Sequence, residues 1–236
     1  MKTIGLIGGT SWESTIPYYR QINEFVKERL GGLHSAKLLL NSVDFHEVEL
    51  LMRAEDWSAV GHHLANAARA LELDGADCIA LCSNTLHKVA PAIESQVRIP
   101  LLHIADPTAE VIKAAGHTIV GLLGTRFTME EDFLRDRLAS RHGLTVLTPS
   151  SEDRETVHRV VFEELCLGKI LPESRNAYRR IIGALAAQGA QAIILGCTEI
   201  SMLITQHHTQ VPLFDTTAIH ALHLAAWSLG KDPTAT

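Results

Sequence analysis

Gly75-Ala76-Asp77-Cys78-Ile79-Ala80-Leu81-Cys82-Ser83-Asn84-Thr85 and Gly189-Ala190-Gln191-Ala192-Ile193-Ile194-Leu195-Gly196-Cys197-Thr198-Glu199 are two versions of one pattern. Each opens on a glycine turn, runs through a short apolar stretch and ends on small polar residues, as a buried strand does. Two further stretches repeat in the same order. Ile4-Gly5-Leu6-Ile7-Gly8-Gly9 answers to Val120-Gly121-Leu122-Leu123-Gly124-Thr125, and Ile99-Pro100-Leu101 answers to Val211-Pro212-Leu213. The offsets, Ile4 to Val120, Gly75 to Gly189 and Ile99 to Val211, are 116, 114 and 112 residues. Any strand-helix unit yields apolar-glycine strings, so one match means little. Three matches in order at near-constant offset indicate two copies of one unit.

Outward from these anchors, short apolar runs alternate with helical patterns. The runs predict strands at Thr3–Ile7, Lys37–Asn41, Cys78–Cys82, Leu101–Ile104, Thr118–Leu123, Leu144–Leu147, Ala192–Gly196 and Pro212–Phe214. Periodicity near 3.6 predicts helices at Ile16–Leu30, Ser58–Leu73, Met129–Ser140, Asp153–Leu167, Ser174–Gln188 and Thr217–Leu229. Strands apolar throughout and separated by helices imply parallel sheets covered on both faces, hence an α/β fold. The expectation is two similar domains related by a pseudo-twofold axis, each a small parallel sheet flanked by helices. Their bounds are set at residues 1–100 plus 216–236, with the last helix returning to the first domain, and at residues 101–215.

Composition narrows the function. The chain has 236 residues, 46% of them apolar, and a formal charge of −6. That is long enough to bury a core without disulfides or metals. The mild, dispersed acid excess argues against a nucleic-acid surface, which needs a basic stripe. No apolar run reaches the ~18 residues of a membrane span. The glycines of Met1–Gly9 read as a first strand and its turn rather than a signal peptide. Cys78, Cys82, Cys166 and Cys197 show neither zinc spacing nor a disulfide framework, so free thiols in a reducing cytoplasm are expected.

In open parallel sheets, ligands sit beyond the carboxyl ends of the strands. The repeated strands carry their polar tails there: Gly8-Gly9-Thr10-Ser11, Ser83-Asn84-Thr85, Gly124-Thr125-Arg126 and Cys197-Thr198-Glu199. If the two halves face each other, the repeat sets Ser83 against Cys197 and Asn84 against Thr198. Two groups on opposite faces of one carbon suit a racemase, since one removes the Cα proton and the other returns a proton to the opposite face. A thiol suits this work because its pKa is about 8.5 and falls near positive dipoles. Cys197 stands where a strand hands over to a helix, so helix N–H groups are expected to stabilise its thiolate. Those N–H groups, with Asn84, Thr85 and Thr198, can hold a substrate carboxylate. No nucleotide fingerprint, metal cluster or pyridoxal lysine is evident, so no cofactor and no metal is expected.

The three stretches Gly8-Gly9-Thr10-Ser11, Ser83-Asn84-Thr85-Leu86-His87 and Gly196-Cys197-Thr198-Glu199 resemble the signature stretches of the aspartate/glutamate racemases. The resemblance spans essentially the whole chain, including Gly124-Thr125-Arg126 and Phe162-Glu163-Glu164-Leu165. It implies a pseudo-symmetric two-domain fold with the site between the halves, catalysis without pyridoxal phosphate, an amino-acid substrate and a homodimer. It implies Cys197 and Ser83 as catalytic residues, with Thr10, Asn84, Thr85, Thr125 and Thr198 binding substrate. Met52, Arg53, His87 and Glu199 stand as supporting residues. Two departures matter. The family has Cys-Asn-Thr where this chain has Ser83-Asn84-Thr85, with Cys82 one residue earlier and so on the other face of the strand. Cys197 then becomes the strong base, with L-to-D turnover expected to be favoured. Where the family carries basic or amide side chains for the distal carboxylate, this chain reads Leu50-Leu51-Met52-Arg53 and Leu165-Cys166-Leu167-Gly168-Lys169. Arg53, Arg126 or Lys169 are the cations left to reach a substrate, and Met52 and Leu167 suggest a less polar pocket.

Blander readings compete. Cys78 and Cys166 read as small buried hydrophobes, and Cys82 as facing its domain interior. Asn84 and Thr85 also suit a helix cap. His87 either orients the site or contacts a helix end, and Glu199 either caps a helix or bonds near Cys197. Two other functions stay open: a single-thiol decarboxylase or isomerase of the same superfamily, and a non-catalytic binder of small acids.

Overall fold

The apolar runs of the repeat become parallel strands in the computed structural model, which describes residues 1–230. By internal contacts the chain divides into two compact units, Met1–Ile104 with the segment from His220 onward, and Ala105–Ile219. The first contains β1 (Ile4–Gly8), α1 (Trp12–Leu30), β2 (Leu38–Ser42), α2 (Phe45–Arg53), α3 (Trp57–Leu73), β3 (Cys78–Leu81) and α4 (Ala90–Glu94). The second contains α5 (Ala105–Ala114), β4 (Ile119–Gly124), α6 (Arg126–Glu130), α7 (Asp132–Asp136), β5 (Thr145–Leu147), α8 (Ser151–Glu163), α9 (Pro172–Ala187), β6 (Ala192–Gly196), α10 (Ile200–Leu203) and β7 (Leu213–Asp215). The last helix, α11 (Thr216–Ser228), begins in the second unit and continues into the first. Among the described residues no helix is long and apolar enough to cross a membrane.

The two sheets share one topology. Their orders are β2-β1-β3 and β5-β4-β6-β7, every pair parallel. The place of β7 is taken in the first sheet by a single bridge, Ile79 to Leu101. The equivalence reaches individual hydrogen bonds. Ile79 N–H donates to the Pro100 carbonyl at 2.9 Å, and Ile193 N–H donates to the Pro212 carbonyl at 2.8 Å. Asp77 accepts the Thr3 N–H on its carboxylate, and Gln191 accepts the Ile119 N–H on its amide oxygen. These are the residues that the repeat aligns.

Alternation along the strands sorts side chains between the two faces of each sheet. In the second unit Leu123, Ile193 and Leu195 pack with Val157, Val160, Tyr178 and Ile182 of α8 and α9. Val120, Leu122, Ala192 and Ile194 instead pack with Ala105, Ala109 and Ile112 of α5 and with Leu134 and Leu138. In the first unit Ile4, Leu6, Cys78, Ala80 and Cys82 share one face with Tyr18, Ile22 and Val26 of α1 and Ala221, Leu224 and Ala225 of α11. Cys82 is therefore a core residue, and Ser83 begins the turn beyond it. At Gly121 a Cβ would lie 2.6 Å from Ile193 Cδ1 and 2.9 Å from Leu185 Cδ1, so α9 approaches the sheet only because that side chain is missing.

Several expected elements are altered. Leu101–Ile104 is not a strand, because α5 starts at Ala105 and turns the chain away after one bridge. The single helix expected at Met129–Ser140 is broken at Glu131, whose extended backbone (φ −87°, ψ 158°) separates α6 from α7. The helix expected to end at Leu167 stops at Glu163 and gives way to a tight 3-10 turn, Leu165–Leu167, closed by Gly168 in the left-handed region.

Candidate active site

The carboxyl ends of β1 and β3 present the first group of candidate residues. Gly9 has φ +87°, and a Cβ there would lie 2.2 Å from the Val43 carbonyl, so only glycine makes this turn. Thr15 Oγ1 accepts the Gly9 N–H at 2.9 Å and ties the turn to α1. Thr10 follows, buried, and among the described residues its Oγ1 has no hydrogen-bond partner. A buried hydroxyl left in that state is suited to a polar ligand. After β3, Ser83, Asn84 and Thr85 are all buried. Ser83 Oγ lies 3.5 Å from the Leu86 N–H, a marginal cap on the 3-10 turn Thr85–Val89.

His87 holds that turn in place. Its Nδ1–H donates to the Ser83 carbonyl at 2.7 Å, and its Nε2 accepts the Ile104 N–H at 3.3 Å. One nitrogen must donate and the other accept, which fits the neutral ring with the proton on Nδ1. His87 is therefore a brace between main-chain segments. Behind it lies a buried aromatic cluster in which the His103 ring centroid is 4.2 Å from that of His87. Tyr18 OH donates to His220 Nδ1 at 2.9 Å, while His220 Nε2–H donates to the Leu102 carbonyl at 2.9 Å. Met52 is buried on α2, and Arg53 points to solvent, paired with Glu49 one turn back. Arg126 and Lys169 are also exposed.

The second group stands at the end of β6. Cys197 is buried, and its Sγ–H donates to Glu199 Oε2 at 2.9 Å. Thr198 Oγ1–H donates to the same oxygen at 2.8 Å, and Cys166 Sγ lies 3.8 Å from Oε1. One carboxylate thus gathers two thiols and a hydroxyl. The expectation that helix N–H groups would stabilise a Cys197 thiolate is reversed in this state. Burial pushes the thiol well above its ordinary range, and the charge of Glu199 adds to the effect, against one backbone hydrogen bond that lowers it. The helix that follows, α10, is only four residues long and supplies little dipole. Burial and the neighbouring Glu199 carboxylate thus both favour the neutral thiol at Cys197. Thr125 stands next to this group, since Gly124 pairs with Gly196 in the sheet, but its Oγ1 caps α6 by accepting the Thr128 N–H at 3.3 Å.

In the first unit Ser83, Asn84, Thr85 and His87 therefore come together on one turn, with Thr10 at the end of the neighbouring strand. In the second unit Cys197, Thr198 and Glu199 come together, with Thr125 adjacent. Cys82 stays in the core, where burial holds its thiol up, and burial pushes Cys78 up to about 12. Sequence reading missed two neighbours of Cys197. The sequence marks Cys166 only as a small buried hydrophobe, whereas the tight turn after α8 brings it to Glu199. Tyr178 lay hidden in the apolar face of α9. Burial and the nearby Cys197 push its phenol up, and its OH donates to the Val157 carbonyl at 3.1 Å.

The chain is similar to known proteins along nearly its whole length. A family model described as Asp/Glu/Hydantoin racemase matches residues 7–224. The broad-specificity amino-acid racemase of Bacillus subtilis is 21% identical over 230 residues, covering 91% of this chain and 93% of that protein. The crystal structure of a Yersinia pestis protein provisionally assigned as an Asp/Glu racemase is 57% identical, with a TM-score of 0.91, over 97% of this chain and 100% of that one. An aspartate racemase homologue from Pyrococcus horikoshii is 36% identical, with a TM-score of 0.83 and the same coverage. Sequence match along nearly the whole chain, together with the shared two-sheet α/β architecture, means that this protein belongs to the Asp/Glu/hydantoin racemase family.

Proposed function

We propose that this chain is a cofactor-independent amino-acid racemase acting on aspartate, glutamate or related amino acids. The observation that carries the reading is the hydrogen bond from the buried Cys197 thiol to the Glu199 carboxylate. Glu199 takes the thiol proton, and the thiolate formed removes the Cα proton of an L-amino acid. Ser83 serves the opposite face of Cα, directly or through a water, and returns a proton there. Thr10, Asn84, Thr85, Thr125 and Thr198 supply the hydroxyl and amide groups that hold the α-carboxylate, where the charge of the deprotonated carbon develops. A hydroxyl is a far weaker acid-base group than a thiol, so turnover from L to D is favoured in kcat. The equilibrium constant between enantiomers is one, which keeps kcat/KM equal in the two directions. The free thiols suit a reducing compartment, and we take the enzyme to act in the cytoplasm as a homodimer. With Met52 buried and Arg53 paired to Glu49, neutral amino acids belong among the substrates to be tried.

The test is incubation in D2O with both enantiomers of aspartate, glutamate and several neutral amino acids, with Cα deuteration followed by NMR and chirality by a chiral column. Deuteration of an L-substrate with appearance of its D-form, both abolished in Cys197→Ala, supports the proposal and names the substrate. Absence of exchange with every amino acid sinks it and directs attention to the decarboxylation of substituted malonates.

A further inference from the structure

Away from Cys197, a cavity of about 490 Å³ opens between α9 and the loop 205–211. Its walls include Asn176, Arg179, Arg180, His207, Thr209 and Gln210. Each of these side chains carries an N–H or O–H donor, and no carboxylate is among the described residues that line it. That is an uneven distribution for a chain of formal charge −6.

The walls are also held rigid. Arg179 Nε–H donates to the His208 carbonyl at 3.0 Å, which fixes the guanidinium and leaves its terminal amino groups beside the cavity. Arg180 is held by both oxygens of Asp153. The loop spends its own side chains on its own backbone. Gln206 donates to the Thr209 and Val211 carbonyls and accepts the Leu213 N–H, Thr209 Oγ1 accepts the Val211 N–H, and His208 Nδ1 accepts the Thr205 N–H. A site held in its binding shape loses little conformational freedom when a ligand arrives.

We propose that this cavity is a second ligand site, specific for small molecules bearing a phosphate group. The Arg179 guanidinium keeps its two terminal amino groups as a planar pair of donors that matches phosphate oxygens, and Asn176, Thr209 and Gln210 supply neutral donors around it. Asp153 balances one positive charge, so Arg179 carries the net attraction. The volume lies within the ~300–1,000 Å³ usual for small-molecule sites, more than a bare anion fills. The site stands independently of the racemase chemistry.

The experiment is calorimetric titration of the full chain at constant ionic strength with inorganic phosphate, glucose 6-phosphate and glucose. Phosphate and the sugar phosphate bind, and glucose does not. Arg179→Gln, at an exposed position, weakens both roughly tenfold or more, the usual effect of deleting a charged hydrogen-bond donor. Cys197→Ala leaves the affinity unchanged. Three results overturn the proposal: no binding of phosphate or sugar phosphate at tens of millimolar, equal affinity in Arg179→Gln, or loss of binding in Cys197→Ala, which would put the anion at the substrate site instead.

Discussion

Replacing Ser83 with cysteine tests the division of labour between the two halves. Ser83 is 9% exposed, and its Oγ only just reaches the Leu86 N–H at 3.5 Å. The longer carbon–sulfur bond and larger sulfur fit that gap, and the turn is held through the Ser83 carbonyl by His87, which the substitution leaves alone. The thiol pKa near 8.5 makes it an effective acid-base group where a hydroxyl is not. A positioned general acid or base contributes about 10²–10⁴-fold. Burial takes part of this back, as it does at Cys78, whose thiol rises to about 12. The low end applies, about 10²-fold, or about 2.7 kcal/mol of barrier. The assay is the ratio of Cα deuteration with retention to deuteration with inversion, starting from the L-substrate in D2O. The proposed roles predict that in the natural chain exchange outruns inversion, the Ser83 face returning protons more slowly than Cys197 does. In Ser83→Cys the ratio falls toward one, and kcat/KM rises together in both directions. An unchanged ratio, in a variant with unchanged circular dichroism and melting temperature, would refute the assignment of residue 83 to the second face.

Glu199→Gln removes the charge and hydrogen bond that, after burial itself, hold the Cys197 thiol up. Alkylation of Cys197 by iodoacetamide at neutral pH speeds up while exchange of the L-substrate slows about 10²-fold or more, the lower end of losing an acid-base partner; equal rates of both would show that Glu199 is a bystander. Asp106 is half-buried, and burial raises its carboxyl, but hydrogen bonds from Arg137 and His142 outweigh that and bring it below the ordinary value. Its contribution is therefore complete above the unfolded pKa of about 3.9 and is lost as pH falls through the lower folded value. Asp106→Asn costs about 1 kcal/mol at pH 7, a melting shift of roughly 2–4 °C, and the loss shrinks below about pH 4; a pH-independent loss counts against the linkage. Tyr18→Phe leaves the buried His220 Nδ1 without the phenol and costs about 1–3 kcal/mol by urea unfolding, and a neutral result would mean that water replaces the phenol.

The fold was legible because its evidence is local and repeated. The aligned glycine turns and apolar runs predicted two parallel sheets, and the mirrored bonds at Ile79 and Ile193 are the same alignment in three dimensions. Strand parity separated Cys82 from Ser83 for the same reason. The chemical state of Cys197 was not legible, because it depends on a carboxylate two residues on folding back to 2.9 Å, whereas a strand-to-helix junction suggested only a dipole. The pairing of Arg53 with Glu49 one turn back on α2 was not legible either, because the spacing alone does not say which carboxylate an exposed cation meets. Leu101–Ile104 failed as a strand because an apolar run does not reveal that a helix starts immediately after it.

One consequence of the discontinuous first unit concerns the order of events during synthesis. The second unit, Ala105–Ile219, is one unbroken stretch, but the first shares its core with Ala221, Leu224 and Ala225 and its buried hydrogen bonds with His220. A ribosome releases residues at about 5–20 per second, N-terminal first. The half that is translated first must therefore wait with an open apolar flank until the final helix leaves the exit tunnel. The half translated second has all its partners before that moment. Nascent chains of this protein should thus mature in the reverse of their reading order, and the exposed flank on α1 and β3 is where a chaperone would find them.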